Sequence, residues 1–274
     1  MKMRRLQVVA VYLATAVVAL VALFPLIWLL LTSLKETREA FSMPPHFLFT
    51  PTMKWYSRVW IDEGFARYFW NTAVICAGTV LLAVPIAGLA AYALSRYRSM
   101  NTYVILVIAL GFTMLPEMLI GMPIYLFARM THLYNTPIVV ILALAAQYLP
   151  LLVWLLRGFF LEIPIAVEEC ALVDGCNRWR VFWSIALPMA KPGLITACLL
   201  TLIFSYNAFL FPLILTGPGA QPLSVAIAQY GAQDIRYWSV SAAGAVSIAI
   251  PLLIAVVVAQ RYLIGGITFG AVKE

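Results

Sequence analysis

The stretch that decides the fold is LYNTPIVVILALAAQYLPLLVWLL at residues 133–156, followed at once by RGFFLEIPIAVEECALVDGCNRWRVFWSIALPMAK at residues 157–191. The first part carries no charged side chain and is longer than the roughly 20 residues with which a helix crosses a bilayer core. The second part carries eight charged residues, about twice the average density of the chain, and is too polar to enter lipid. The contrast predicts a membrane-spanning helix that runs into a polar segment at the membrane surface.

The composition extends this interpretation to the whole chain. Of 274 residues, 64% are hydrophobic and 11% are charged, whereas roughly 25% of the residues in an ordinary soluble domain are charged. The net charge is +7, but the basic residues stand singly between apolar runs, which argues against a nucleic-acid partner. Helices or closed barrels alone satisfy the backbone in lipid, and these runs lack the alternation of barrel strands. The chain is therefore predicted to be all-α, polytopic and in contact with membrane lipid.

Six membrane spans are predicted from the apolar runs. They lie at residues 8–32, 70–94, 103–127, 134–156, 192–215 and 238–260. The uncharged sequence after residue 192 is longer than one span, and Gly217-Pro218-Gly219 divides it, so a helix should end near Thr216. With the N-terminus in the cytoplasm, more of the 18 Lys and Arg residues lie inside than outside. This count predicts cytoplasmic termini and a cytoplasmic segment 157–191 within one transmembrane domain over 1–274.

Segment 157–191 is predicted to form two short helices joined by a tight turn. Pro164 suits the start of the first helix, Gly175 its left-handed end, and Asn177 the N-cap of the second. The first helix is expected to have a polar surface at Glu168, Glu169 and Asp174. The second is amphipathic, and its apolar side is made by Trp179, Phe182, Trp183 and Ala186. Physical reasoning alone leaves two interpretations open: a docking element for another protein, or a passive interfacial hairpin.

The spacing inside this segment resembles a known motif. Glu169-Cys170-Ala171, three residues, Gly175, nine residues and Ile185-Ala186-Leu187-Pro188 reproduce the EAA loop of the permease subunits of ABC importers. Asp174 before the glycine also fits. Cys170 stands where the family has its first alanine, and both side chains are small. The match implies that segment 157–191 is a cytoplasmic coupling loop.

Two further regions resemble the carbohydrate-uptake type of these permeases, in particular the type of the maltose-system G subunit. Pro116, Pro123, Tyr125, Asn135 and Thr136 look like the third-span segment of that type. The tail from Gln260-Arg261-Tyr262 through Gly266-Ile267-Thr268, with Gly270-Ala271-Val272-Lys273, is similar to its C-terminal signature. One departure is Tyr206-Asn207-Ala208, where the family often has Trp-Asn-Glu, and it leaves the solute site open.

The resemblance implies a function and a set of partners. The chain would be a non-catalytic permease subunit for a sugar or sugar-like solute, and it would transmit the closure of a cytoplasmic ATPase dimer to the spans. The other implied partners are a second permease subunit and an extracytoplasmic solute-binding protein. The residues implied to dock on the ATPase are Glu169, Cys170, Ala171, Asp174 and Gly175, with Gly270 and Lys273 in the tail. Independently, the chain contains no GxxxxGK[ST] phosphate loop, so ATP and Mg²⁺ are expected on the ATPase and no cofactor on this chain.

Three residues are candidates for the solute path. Glu117 is the one acidic residue inside a predicted span, where a charge is costly and often functional, although Pro116 and Pro123 on either side of it favour an interfacial role. Asn207, next to Tyr206, is predicted to lie deep in the fifth span and to share a face with Leu200, Ile203, Phe204, Leu210 and Phe211. It could bind a sugar hydroxyl or make an interhelical hydrogen bond.

Two other function classes compete with this interpretation. An ion-coupled secondary transporter would use intramembrane ionisable residues, and Glu117 alone favours that class. A membrane-embedded enzyme would need a catalytic cluster, and neither a catalytic residue nor a spacing suited to metal ligands is predicted. The components that co-purify with the chain would separate the three classes.

Overall fold

The computed structural model describes residues 2–97, 100–233 and 237–268, and within these ranges its regular structure is helical, without a strand. The predicted all-α class is confirmed. In chain order the helices are α1 (Lys2–Leu34), α2 (Thr37–Ala40), α3 (Lys54–Ser57), α4 (Phe65–Arg96), α5 (Met100–Thr113), α6 (Glu117–Met130), α7 (Pro137–Glu162), α8 (Ile165–Val173), α9 (Arg178–Val181), α10 (Leu187–Met189), α11 (Lys191–Asn207), α12 (Leu210–Leu215), α13 (Leu223–Gln233) and α14 (Trp238–Thr268). Two π-helical turns, Arg58–Asp62 and Phe182–Ala186, follow α3 and α9.

Membrane-spanning capacity can be read from length and apolar character. In the described part of the chain, three helical stretches are long and apolar enough to cross a membrane: Ala10–Leu34, Phe65–Arg96 and Pro137–Glu162. The number rises to five if each of two sharply bent helix pairs makes one span. These helices confirm a multi-span architecture, and the count of six spans stays a prediction.

The region of the predicted third span, 103–127, is not one helix. It consists of α5 and α6, and the two helices meet at an angle of 86°. Pro116 stands at the N-cap of α6 with an extended ψ of 130°. Because a proline disfavours helical conformation in the residue before it, α5 ends ahead of Leu115 and α6 begins anew at Glu117. The break places the Glu117 carboxylate in the first turn of a helix, where the helix dipole favours a negative charge.

The region of the predicted fifth span, 192–215, is also divided. Helix α11 ends at Asn207, and Ala208 is extended, with φ −60° and ψ 130°. Pro212 explains the break, since it has no N–H to donate to the Ala208 carbonyl and its ring would collide with that carbonyl in a continuous helix. The hydroxyl of Ser224 donates to the Ala208 carbonyl instead, at 2.7 Å. Helix α12 ends at Leu215 with Thr216 as its C-cap, so the predicted end near Thr216 is confirmed.

A turn at Gly217–Leu223 is held by polar side chains. Asn135, in left-handed conformation with φ 61°, accepts hydrogen bonds on Oδ1 from the amides of Gly217 at 2.9 Å and Ala220 at 3.0 Å. From α4, Asn71 donates its Nδ2 to the Gly219 and Gln221 carbonyls. These bonds satisfy backbone groups that no helix pairs.

The chain divides into two compact units. One contains residues up to 66 together with 226–251, and the other contains 67–225 together with the residues from 252 onward. In the first unit, the buried Lys35 ammonium donates to the His46 carbonyl at 2.7 Å and lies 5.0 Å from the ring centroids of Trp28 and Phe49.

The second unit has an apolar core in which α4, α7, α11 and the π-helical turn after α9 meet. Its fully buried side chains include Leu152, Leu156 and Phe160 on α7. At Gly193 a Cβ would lie 2.5 Å from the ring of Phe159, so the glycine permits the close approach of α11 to α7. Both candidate functional regions lie in this second unit.

Candidate functional site

The first helix of segment 157–191 ends at Gly175, as the sequence predicts. Gly175 has φ +88°, and its amide donates to the Leu172 carbonyl at 3.1 Å. The amide of Cys176 donates back to the Ala171 carbonyl at 3.0 Å. This pair of bonds is a Schellman motif, which places its glycine one residue beyond the helix cap. The turn between the two short helices is therefore set by local backbone chemistry.

Helix α8 has an exposed face and a buried face. Exposed residues recur at Ala166, Glu169, Cys170 and Val173, the spacing of one side of an α-helix, and Val173 is 87% exposed. Asp174 and Gly175 continue this exposed surface. Of the five predicted docking residues, Ala171 alone is buried, at 8% exposure. We call the surface made by Glu169, Cys170, Val173, Asp174 and Gly175 the exposed α8 face.

Glu168 does not belong to a polar surface, and that expectation is wrong. Its side chain is buried, with 5% of the residue exposed. The Arg96 guanidinium donates from Nε to Glu168 Oε1 at 3.0 Å, and Arg96 Nη2 contacts the same oxygen. The Tyr92 hydroxyl donates to Oε2 at 2.8 Å. Because both carboxylate oxygens are hydrogen-bonded and the charge is paired, the burial of Glu168 is compensated.

Aromatic packing surrounds this ion pair. The Tyr92 ring lies 5.5 Å from the Phe160 ring of α7 and 5.0 Å from the Phe182 ring, measured between centroids. Nearby, Arg157 donates from Nε to the Leu94 carbonyl of α4 at 3.1 Å. The last turns of α4 and α7 thus form one base for segment 157–191.

The second helix of the segment begins as predicted. Asn177 caps α9, and its Oδ1 accepts a hydrogen bond from the Arg180 amide at 2.8 Å. The predicted apolar side divides between two environments. Phe182 and Ala186 are buried in the core, whereas Trp179 and Trp183 are 64% and 56% exposed. Tryptophan is enriched at membrane interfaces, so the exposed rings suit a hairpin at the membrane surface.

A second candidate region is a cavity of about 140 Å³ beside the break between α5 and α6. Glu117 lies in its wall, and its Oε1 accepts a hydrogen bond from Gln147 Nε2 at 2.7 Å. Gln147 Oε1 is buried and has no hydrogen-bond partner. The other lining residues are Phe112, Thr113, Leu115, Ile120, Ile124, Ala143, Ala146, Pro150 and Phe211. The cavity is therefore mostly apolar, with three polar side chains, Thr113, Glu117 and Gln147, and it lies at a break between helices, where transporters often bind solutes.

The remaining predicted residues lie apart from this cavity. Asn207 is exposed at the end of α11, and its Nδ2 donates to the Ile203 carbonyl of its own helix at 2.8 Å. Because α11 ends there, Asn207 does not share a helix face with Leu210 and Phe211, and that expectation is wrong. Tyr206 is half-buried and, like Asn207, is not among the residues that line the cavity. The tail candidates Gly270 and Lys273 lie outside the described residues.

Three partners were not found from the sequence: Arg96, Tyr92 and Gln147. Arg96 carried a usable signal, because it is the first charge after the apolar run of residues 68–95. Its pairing with Glu168 could not be deduced, since the two residues are separated by 71 intervening positions and meet only when α4 and α8 pack. Gln147 was an amide within an apolar run and would have been a reasonable partner to propose for Glu117.

The chain is similar to known membrane transport proteins over most of its length. Residues 83–268 match the family described as binding-protein-dependent transport system inner membrane component. A probable ABC transporter permease protein of Sinorhizobium fredii is 34% identical, over 94% of this chain and 92% of its own length. The trehalose/maltose transport system permease protein MalG of Thermococcus litoralis is 31% identical over 98% of both chains.

A solved structure agrees with the fold. A chain from a bacterial ABC transporter involved in the import of the acidic polysaccharide alginate superposes with a TM-score of 0.80. The match covers 96% of this chain and 98% of that chain at 23% sequence identity.

These findings decide between the three function classes. The expectation of a non-catalytic ABC transporter permease subunit in a membrane is confirmed, and the alternatives of a secondary transporter and an embedded enzyme are set aside. The chain belongs to the family of binding-protein-dependent transport system inner membrane components.

Proposed function

We propose that this chain is a permease subunit of an ATP-driven ABC importer for a sugar or sugar-like solute. The observation that carries the proposal is the exposed α8 face, which presents Glu169 and Cys170 of the EAA-like triplet on a hairpin attached to α4. The solute class is supported by relatives named for sugars, among them the trehalose/maltose permease and a diacetylchitobiose uptake permease of Streptomyces coelicolor, which is 29% identical.

The exposed α8 face is the proposed docking surface for a cytoplasmic ATPase. Glu169 and Asp174 give it negative charge, and Val173 and Cys170 give it apolar area. A small apolar patch with charges beside it is the composition of a protein interface. ATP and Mg²⁺ belong on the ATPase pair, and this chain supplies the surface on which that pair acts.

Docking would be converted into transport by a shift between two conformations. Closure of the ATPase dimer binds one arrangement of the permease more tightly and so favours it. The force enters through α8 and reaches α4 and α7, whose last turns form the base of the hairpin. With a second permease subunit, the helices would alternate between inward-open and outward-open states, and a solute-binding protein would deliver solute from outside.

The solute path is proposed to run past the cavity at Glu117. The broken helices α5 and α6 leave backbone groups there that only a protein-lined cavity tolerates at membrane depth. Glu117 and the unpartnered Oε1 of Gln147 offer acceptor oxygens, which suits a hydroxyl-rich solute. The distribution of Lys and Arg supports the further proposal that both termini lie in the cytoplasm.

The test is the replacement Glu169→Lys in the complex reconstituted with its partner subunits. Charge reversal on the docking surface should lower the ATP hydrolysis that the solute-binding protein stimulates, while the affinity of that protein for the outer face stays unchanged. Glu162→Lys is the matched control, because Glu162 is an exposed carboxylate at the end of α7 and outside the exposed α8 face. Normal stimulated turnover in Glu169→Lys would overturn the docking assignment.

A further inference from the structure

We infer that Arg96 and Tyr92, at the end of α4, are positioning residues that clamp Glu168 and make α8 move together with α4. The inference rests on the proposed function, because it concerns how force on the exposed α8 face enters the membrane helices. We call Arg96, Tyr92 and Glu168 the α4–α8 clamp.

The hydrogen bonds from Arg96 and Tyr92 fix the Glu168 carboxylate in orientation as well as in position. Arg96 holds Oε1, and Tyr92 holds Oε2. Both partners come from the last turns of the same helix, one turn apart, so they move together. The Arg96 and Glu168 side chains are 12% and 7% exposed, which means that water competes little for these bonds.

The clamp is the main side-chain attachment of α8. The buried residues of α8 are Glu168 and Ala171, and Ala171 offers a single methyl group. Of the larger apolar side chains of this helix, Leu172 is half-buried, whereas Ile165 and Val167 are each 40% exposed and Val173 is 87% exposed. Apolar packing of α8 is therefore limited to Ala171 and part of Leu172, and the polar clamp supplies most of the attachment.

The second arm of the hairpin, made by α9 and the π-helical turn Phe182–Ala186, is held by apolar packing. Val181, Phe182 and Ala186 are buried in the apolar core at 3% exposure or less. Gly175 lies between the two arms with φ +88°, and a Cβ there would meet nothing within 4 Å. If the clamp is lost, we expect α8 to pivot about Gly175, while the buried side chains of the second helix hold that helix in place.

The experiment measures this pivot directly in the assembled importer. Spin labels are placed through Ala93→Cys on α4 and Val167→Cys on α8, two exposed positions outside the exposed α8 face, after the four native cysteines have been replaced by alanine. Pulsed electron resonance then gives the distance distribution between the labels, without nucleotide and with the ATPase trapped by ATP and vanadate. With the intact clamp we expect a narrow distribution that keeps its mean in both states.

Glu168→Gln keeps the side-chain shape and removes the ion pair. We expect its distribution to broaden or to show a second distance, and binding-protein-stimulated ATP hydrolysis to fall about fivefold or more, which is the size of a typical coupling between sites. Tyr92→Phe keeps the ion pair and removes one hydrogen bond, so it should cause a smaller broadening and still assemble. Glu162→Gln, the matched loss of an exposed carboxylate, should change neither readout.

A narrow, unchanged distribution in both Glu168→Gln and Tyr92→Phe would overturn the clamp. So would equal broadening in Glu162→Gln, which would show a general loosening. If Glu168→Gln does not assemble, Tyr92→Phe decides. The distance is measured inside this chain, so the clamp can fail or hold independently of the result with Glu169→Lys, which tests the ATPase docking.

Discussion

Two carboxylates of the same structural unit, Glu168 and Glu117, are held in opposite ways. Glu168 is buried and fully hydrogen-bonded, with an arginine as counter-charge and a tyrosine on its second oxygen. Glu117 is half-buried in the wall of a cavity, and its recorded partner is the neutral amide of Gln147. The partner amide has an oxygen without a hydrogen bond.

The difference shows that the Glu168 carboxylate anchors two helices, whereas the Glu117 carboxylate can still accept hydrogen bonds from a ligand. A carboxylate whose acceptors are occupied and whose charge is neutralised fixes two elements against each other, and it has nothing to offer a ligand. A carboxylate with a single neutral partner, beside an unsatisfied amide and an empty volume, can still accept hydrogen bonds. The first arrangement suits force transmission, and the second suits a solute path.

The largest loss of stability is expected when the ion pair between Arg96 and Glu168 is broken. Arg96→Met leaves Glu168 as a buried, unpaired charge, which should lower the free energy of unfolding by about 3–5 kcal/mol. A fall in the Tm of the purified complex would measure this loss. The double variant Arg96→Met/Glu168→Met should regain most of it, because removing both charges leaves no uncompensated group. An unchanged Tm in the single variant would contradict the anchoring role of Glu168.

A smaller effect is expected at the pivot of the hairpin. Gly175→Ala places a Cβ on a residue with φ +88°, where the surroundings are open, so the cost is backbone strain alone, about 1–2 kcal/mol. Thermal unfolding should show it. Gly158→Ala is the control, since Gly158 lies inside α7 with open space around it and should gain stability by roughly 0.5–1 kcal/mol. If Gly175→Ala and Gly158→Ala change the thermal stability equally, the left-handed conformation of Gly175 is contradicted.

The N-cap of α9 offers a finer probe of the same hairpin. Asn177→Ala removes the acceptor of the Arg180 amide, and the expected loss is about 1 kcal/mol. Hydrogen exchange at that amide should become faster. Asn177→Asp keeps an acceptor oxygen and should retain the protection of the Arg180 amide. If that amide exchanges in Asn177→Ala as slowly as in the unmodified protein, the cap contributes nothing to stability.

The smallest change in stability is expected at the cavity. Glu117→Leu removes a hydrogen bond together with the desolvation cost of a carboxylate, so the free energy of unfolding should change by less than about 1 kcal/mol. The Tm of the purified complex provides the measurement. A loss as large as that in Arg96→Met would show that Glu117 is an anchor like Glu168 and would remove the distinction between the two.

Local signals in the sequence predicted the hairpin of segment 157–191 well. The positive φ of Gly175 and the cap at Asn177 depend on a few neighbouring residues, and both are confirmed. The broken helices were harder to foresee. Pro116 and Pro212 lie at or just after the breaks, but prolines elsewhere, such as Pro85 and Pro150, lie inside unbroken helices. Which proline ends a helix depends on whether a neighbour forms a hydrogen bond with the freed backbone groups, as the Ser224 hydroxyl does by donating to the Ala208 carbonyl.

The sequence by itself determined the membrane class, the helical fold and the helix–turn–helix form of segment 157–191, because apolar length, proline and glycine positions and capping residues act over short distances along the chain. The tertiary structure alone decided which of two adjacent glutamates points outward. Glu168 and Glu169 are chemically identical neighbours, and their roles diverge because the end of α4 brings Arg96 and Tyr92 to one side of α8. A pairing between residues so far apart in the chain arises from helix packing, and no local pattern encodes it.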